Sequence, residues 1–79
     1  MSEKDPCLVK LGQNIRMMRE ARHLSQEDLA LSAELDRTYV GGVERGERNI
    51  TILSALKLCK ALDCDLVDLV DGISAIANK

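Results

Sequence analysis

Ser25-Gln26-Glu27-Asp28-Leu29-Ala30-Leu31-Ser32-Ala33-Glu34-Leu35-Asp36-Arg37-Thr38-Tyr39-Val40-Gly41-Gly42-Val43-Glu44-Arg45-Gly46 is the stretch that decides the fold. Ser25 is a residue type that accepts a backbone N–H at a helix start, and Asp28, three positions on, completes the pattern of a capping box. Leu29, Ala30 and Ala33 then fall on one helical face. Asp36 opens a second helix whose Val40 and Val43 turn inward, and Gly46 suits its C-terminal cap. Residues 25–46 thus predict two short helices joined by a tight turn.

Outward from this centre, Asp5-Pro6 starts an earlier helix, with Asp as N-cap and Pro at the first helical position. Leu8, Leu11, Ile15 and Met18 recur along it at three- and four-residue steps, and it is expected to run to about His23. On the other side a polar loop, Glu47-Arg48-Asn49, leads to Thr51, which caps a fourth helix ending near Leu62. Asp65, with Asp68 three residues later, caps a fifth, and the chain after Ala75 is expected to fray. In the fourth helix Ile52, Ala55, Leu58, Cys59 and Leu62 form a stripe, yet Leu53 and Leu56 lie outside it and are also apolar. Leu66, Leu69, Val70, Ile73 and Ile76 extend a further stripe, longer than a core of this size covers. A helix apolar nearly all round needs a second partner. The expectation is a homodimer contact in a region of about 50–77, carried by Leu53, Leu56, Leu69, Ile73 and Ile76. Scattered exposed leucines are the plain alternative.

The chain has 79 residues, enough for one small domain, and association would add to the limited stability of such a core. Tyr39 is its one aromatic residue, and Pro occurs once. Aliphatic, helix-favouring side chains and few turn formers point to an all-α bundle of five helices. Three cysteines, Cys7, Cys59 and Cys64, suit neither a disulfide framework nor a four-ligand metal cluster. Cys59 and Cys64 read as inert core thiols, and Cys7, near the start, as the one easily exposed. No signal peptide or long apolar run is present, so a reduced, cytoplasmic protein away from membranes is expected. The formal net charge of −2 speaks against nucleic-acid binding. Its distribution softens that: Lys10, Arg16, Arg19 and Arg22 oppose only Glu20 between residues 10 and 23, whereas Asp63, Asp65, Asp68 and Asp71 gather near the other end.

Two short helices around a tight turn make the helix-turn-helix pattern, in which the second helix enters the major groove with its N-terminal residues on base edges. Those residues are Arg37, Thr38 and Tyr39. Arginine forks two donors to guanine, and threonine touches a thymine methyl or a base-edge polar group. The string from Ser25 to Gly46, with Arg48-Asn49-Ile50-Thr51-Ile52 and the segment from Lys57 to Leu62 downstream, resembles the Cro/repressor-type helix-turn-helix family. The likeness covers roughly residues 8–70, and the Leu35-to-Gly46 core is most similar to controller proteins of restriction–modification systems.

The resemblance implies a five-helix, lambda-repressor-like domain and a role for each matching position. Arg37 and Thr38 would read bases, with Gly42 against the groove. Gln26, Tyr39, Arg45, Arg48 and Asn49 would contact backbone phosphates, Gln26 also bracing the recognition helix. Arg19 and Glu44 match a partly buried ion pair joining the first helix to the end of the third. Gly41 departs from the pattern, since relatives often carry a polar side chain there. Close packing of the helix is the plain reading of Gly42.

Plain readings hold elsewhere. His23 is a solvated residue at a helix C-terminus. The spacing of the aspartates does not follow a calcium loop, and no metal or cofactor is expected. There is no Gly-rich phosphate loop and no Cys/His arrangement for catalysis, so an enzyme is not expected. Two functions remain from the sequence. One is a homodimeric transcription regulator on an inverted-repeat operator in double-stranded DNA, with no small-molecule effector. The other is an antitoxin-like interaction module that holds a partner chain through the fourth and fifth helices.

Overall fold

A computed structural model describes residues 4–78. Among them six helices and no strands occur: α1 Pro6–Ala21, α2 Gln26–Ala33, α3 Arg37–Glu44, α4 Ile52–Leu62, α5 Leu66–Leu69 and α6 Ile73–Ala77. Their starts are set by side-chain caps. Asp5 accepts from the Cys7 N–H at 2.8 Å, Asp36 from Thr38 at 2.8 Å and Thr51 from Ser54 at 3.1 Å. Ser25 and Asp28 form the full reciprocal capping box, as do Asp65 and Asp68. These bonds satisfy amides that have no partner within the helix.

The ends are set by left-handed residues. His23, Glu34, Asp63 and Gly46 have φ of 57°, 56°, 52° and 74° and turn the chain out of α1, α2, α4 and α3 respectively. The residue after each donates back one turn: Leu24 to the Arg19 carbonyl, Leu35 to Ala30, Cys64 to Cys59 and Glu47 to Gly42, at 2.9–3.1 Å. This is the Schellman arrangement, and it explains why all four turns are short.

The core lies where α1 packs on α3, α5 and α6, α2 on α3 and α4, and α4 on α5. Ile15, Leu29, Val40, Val43, Leu58, Leu62 and Leu69 are its fully buried side chains. Two expectations about the apolar stripes are corrected here. Ile52, placed on the buried face of α4, is 60% exposed: the buried residues of α4 begin at Ala55, one turn further on. Leu69, placed at the dimer contact, is 0% exposed and belongs to the protomer's own core.

The predicted fifth helix is two helices. Asn14, buried on α1, donates through Nδ2 to the carbonyls of Leu69 and Asp71 at 2.8 and 2.9 Å. A carbonyl turned toward Asn14 is drawn away from the helical ladder, and the Ile73 N–H bonds to Val70 instead. Gly72, with φ 79°, restarts the chain as α6. The expected fraying after Ala75 is also corrected: α6 reaches Ala77 and the Asn78 N–H bonds to Ser74 at 3.0 Å.

Gly12 has no place in the sequence argument, yet it sets the approach of α1 to α3. A Cβ at Gly12 would lie 2.3 Å from the Glu44 carbonyl oxygen and 2.5 Å from that of Val43, both backbone atoms. Gly12→Ala gains helix propensity of about 1 kcal/mol but must separate two packed backbones. Overpacking of this kind costs about 1–3 kcal/mol, so a net loss in urea unfolding is expected. A variant more stable than the parent would refute the close-packing role.

The cysteines sit apart from any reactive setting. Cys59 is buried and Cys64 half-buried, and burial pushes the Cys64 thiol up to about 11. Cys7 is half-buried in the first turn of α1 rather than freely exposed, and its thiol is raised by burial and by the Asp5 carboxylate. No helix among the described residues is long and apolar enough to cross a membrane.

Candidate nucleic-acid interface

α2 and α3 carry the residues expected to meet DNA, and α3 has a clear inside and outside. Val40, Val43 and the side chain of Glu44 turn into the protomer, while Arg37, Thr38 and Arg45 are exposed. Arg37 and Thr38 occupy the first turn, where Asp36 caps the helix. Among the described residues neither Arg37 nor Arg48 forms an ion pair. Arg48 and Asn49 follow in the exposed loop after Gly46, and Tyr39 is half-buried against the core.

The position of α3 is fixed by one buried cluster. Arg19 on α1 donates Nε to Glu44 Oε2 at 2.6 Å and Nη2 to Oε1 at 3.0 Å. Its Nη1 donates to the Leu24 carbonyl at 2.7 Å, tying in the turn before α2. Gln26, the first residue of α2, donates Nε2 to Glu44 Oε1 at 3.0 Å. Side-chain exposures are 11% for Arg19 and 2% for Glu44, so the pair is shielded from water. The bidentate bond to Glu44 holds the Arg19 guanidinium above its usual range. A guanidinium fork of this kind restricts orientation as well as distance. α1, α2 and α3 are thereby locked through a single carboxylate.

Gly42 does not offer bare backbone to a groove. A Cβ on it would lie 2.8 Å from Cγ of Arg48, whose aliphatic stem covers the position, and Gly42 is buried. The expectation that Gly42 reads bases is therefore corrected: its missing side chain makes room for the Arg48 stem. Gln26 likewise has its amide committed to Glu44, the bracing half of its expected role. Glu47 of the loop takes Arg45 Nε at 3.0 Å and Lys4 Nζ at 3.4 Å. Arg45, and then Lys4, hold the Glu47 carboxyl below its usual range. These pairs are about half exposed, and water screens them heavily.

Apart from Leu31 on α2 and Met17 on α1, the exposed large apolar side chains lie on α4, α5 and the turn after it. Leu53, Leu56, Val67 and Val70 are exposed with Ile52, while Ile73 and Ile76 are half-buried. Ile52, Val70 and Ile73 border an apolar concavity of about 320 Å³ with Cys7 and Leu11 beneath.

With this geometry in view, the family model described as helix-turn-helix matches residues 15–69, from the middle of α1 to the end of α5. The chain belongs to the helix-turn-helix family. Among curated proteins it is 40% identical to the control protein C.SmaI of Serratia marcescens, over 89% of this chain and 88% of that one. Among solved structures it is 55% identical to the restriction–modification controller protein C.AhdI of Aeromonas hydrophila, with a TM-score of 0.77 over 78% of this chain and 94% of that one. It is 34% identical to the controller protein C.Esp1396I, solved as a tetramer in complex with its natural 35-base-pair operator, with a TM-score of 0.79 over 96% of this chain and 100% of that one. The match spans α2 and α3, and the likeness to controller proteins extends through α4 and α5.

Proposed function

We propose that this protein is a sequence-specific transcription regulator of the controller-protein kind, binding duplex DNA as a homodimer on an inverted-repeat operator. The observation that carries the reading is the Arg19–Glu44–Gln26 lock. It presents α3 rigidly, with Arg37 and Thr38 exposed at the end that a helix-turn-helix places on base edges. Arg37 donates to guanine and Thr38 meets a neighbouring base edge. Tyr39, Gln26, Arg48 and Asn49 settle the helix on the phosphates.

The second copy docks through residues about 50–77. Leu53 and Leu56, with Ile73 and Ile76 at the margin, supply apolar area that the protomer leaves uncovered, and Ile52, Val67 and Val70 enlarge it. Symmetry then sets two recognition helices about 34–36 Å apart, one turn of B-DNA. The whole chain acts as one domain, in the cytoplasm and by occupancy rather than by catalysis, so its own concentration sets the response.

Selection of bound duplexes from a random pool at about 150 mM salt tests this directly. An inverted repeat with half-site centres about one helical turn apart is the expected product. Recovery of nothing above background, or of a single unpaired half-site, would overturn it.

A further inference from the structure

Gly41 and Gly42 leave α3 without a side chain at two consecutive positions between Thr38 and Arg45. A helical side chain leans toward the N-terminus, so a residue covers the surface one turn before its own Cα. Arg45 does this to Gly41. A Cβ on Gly41 would lie 3.0 Å from Arg45 Nη1 and 3.9 Å from Cζ, with Gln26 Oε1 at 3.4 Å. The guanidinium therefore lies beside the place where a residue-41 side chain would emerge.

It is held there from behind. Arg45 Nε donates to Glu47 Oε1 at 3.0 Å, and the Glu47 backbone N–H donates to the Gly42 carbonyl at 2.9 Å, which ties the Glu47 backbone to the end of α3. With Nε engaged, the two Nη groups keep donors for an outside acceptor. The same carboxylate also takes Lys4 Nζ at 3.4 Å, so the group keeps a positive charge, and water screens both pairs. What remains is a donor fork beside Gly41, of the shape that meets two acceptors on one base edge.

We propose that Arg45 is a further base-reading residue, its guanidinium standing in for the side chain that Gly41 lacks, with Glu47 as its positioning residue. This rests on the DNA-binding reading above and reassigns Arg45 from phosphate to base. The acceptor it fits is the O6/N7 edge of a guanine in the major groove. Each half-site accordingly contains a G·C pair read by Arg45 besides the base pairs read by Arg37 and Thr38.

The test uses the selected operator and its single-base-pair variants, titrated with the parent protein, Arg45→Ala and Glu47→Gln over a range of salt. Arg45→Ala is expected to lose about tenfold or more of the preference for guanine at one position per half-site. Its salt slope should match the parent's. Glu47→Gln should lose part of the same preference, yet bind all sequences more tightly with a steeper salt slope, because two cations are released to the phosphates. Arg45 is exposed, so its removal leaves the core intact; thermal melting checks this. Equal weakening on every duplex by Arg45→Ala, with a salt slope lower by about one, would make Arg45 a phosphate contact and overturn the proposal. Full retention of selectivity by Arg45→Ala would also overturn it. A parent protein with no selectivity at all is a different result, and it sinks the regulator reading itself.

Discussion

Glu44→Ala is expected to lower folding stability by roughly 3–5 kcal/mol, the usual cost of breaking a buried ion pair from one side. The deletion strands the Arg19 guanidinium, whose side chain is 11% exposed, and takes away the acceptor of Gln26 on α2. A small domain has a total stability of about 5–15 kcal/mol, so much of it would be lost. Urea unfolding followed by circular dichroism measures the change. Arg19→Met combined with Glu44→Leu should recover most of the loss, since two apolar groups of similar volume leave no buried charge. A single variant costing under about 1 kcal/mol would show that packing, and not this pair, holds α3. The recovered double variant should still bind DNA less well, because apolar contacts restrict the tilt of α3 less than a bidentate fork does.

Affinity for the operator is expected to fall by roughly tenfold between 50 and 200 mM salt, given about two arginine-neutralised phosphates per dimer, one at each Arg48. The prediction is a strict one for a chain of formal net charge −2. It requires that the contacts, and not the overall charge, set the counterion release. The layout of the molecule allows this. Arg37, Arg45 and Arg48 stand on α3 and the loop after it, whereas Asp63, Asp65 and Asp68 lie at the α4–α5 junction and Asp71 beyond α5. Fluorescence anisotropy with a labelled duplex across that salt range gives the slope. A flat slope would remove the phosphate contact assigned to Arg48, and with it the docking geometry.

The sequence by itself determined where the first five helices begin and that they carry a helix-turn-helix. Asp5, Ser25, Asp36, Thr51 and Asp65 each cap through a bond spanning three residues or fewer, and such bonds are written in local order. α3 was legible for a related reason: Arg37, Thr38 and Glu44 stand at fixed offsets from the Asp36 cap. What only the tertiary structure decided depends on residues distant in the chain. Leu69 is core and Ile52 is surface because of which neighbours reach them, not because of their periodicity. Gly12 is a glycine because the Glu44 and Val43 carbonyls come against it. The fifth helix breaks because Asn14, 55 positions from Leu69, takes that carbonyl. Gly41 and Gly42 gave no sign of the arginines that cover them, since a bare position in sequence does not say which side chain will fold back over it. Local hydrogen bonds can be read in order along the chain; packing is known only when separate segments meet.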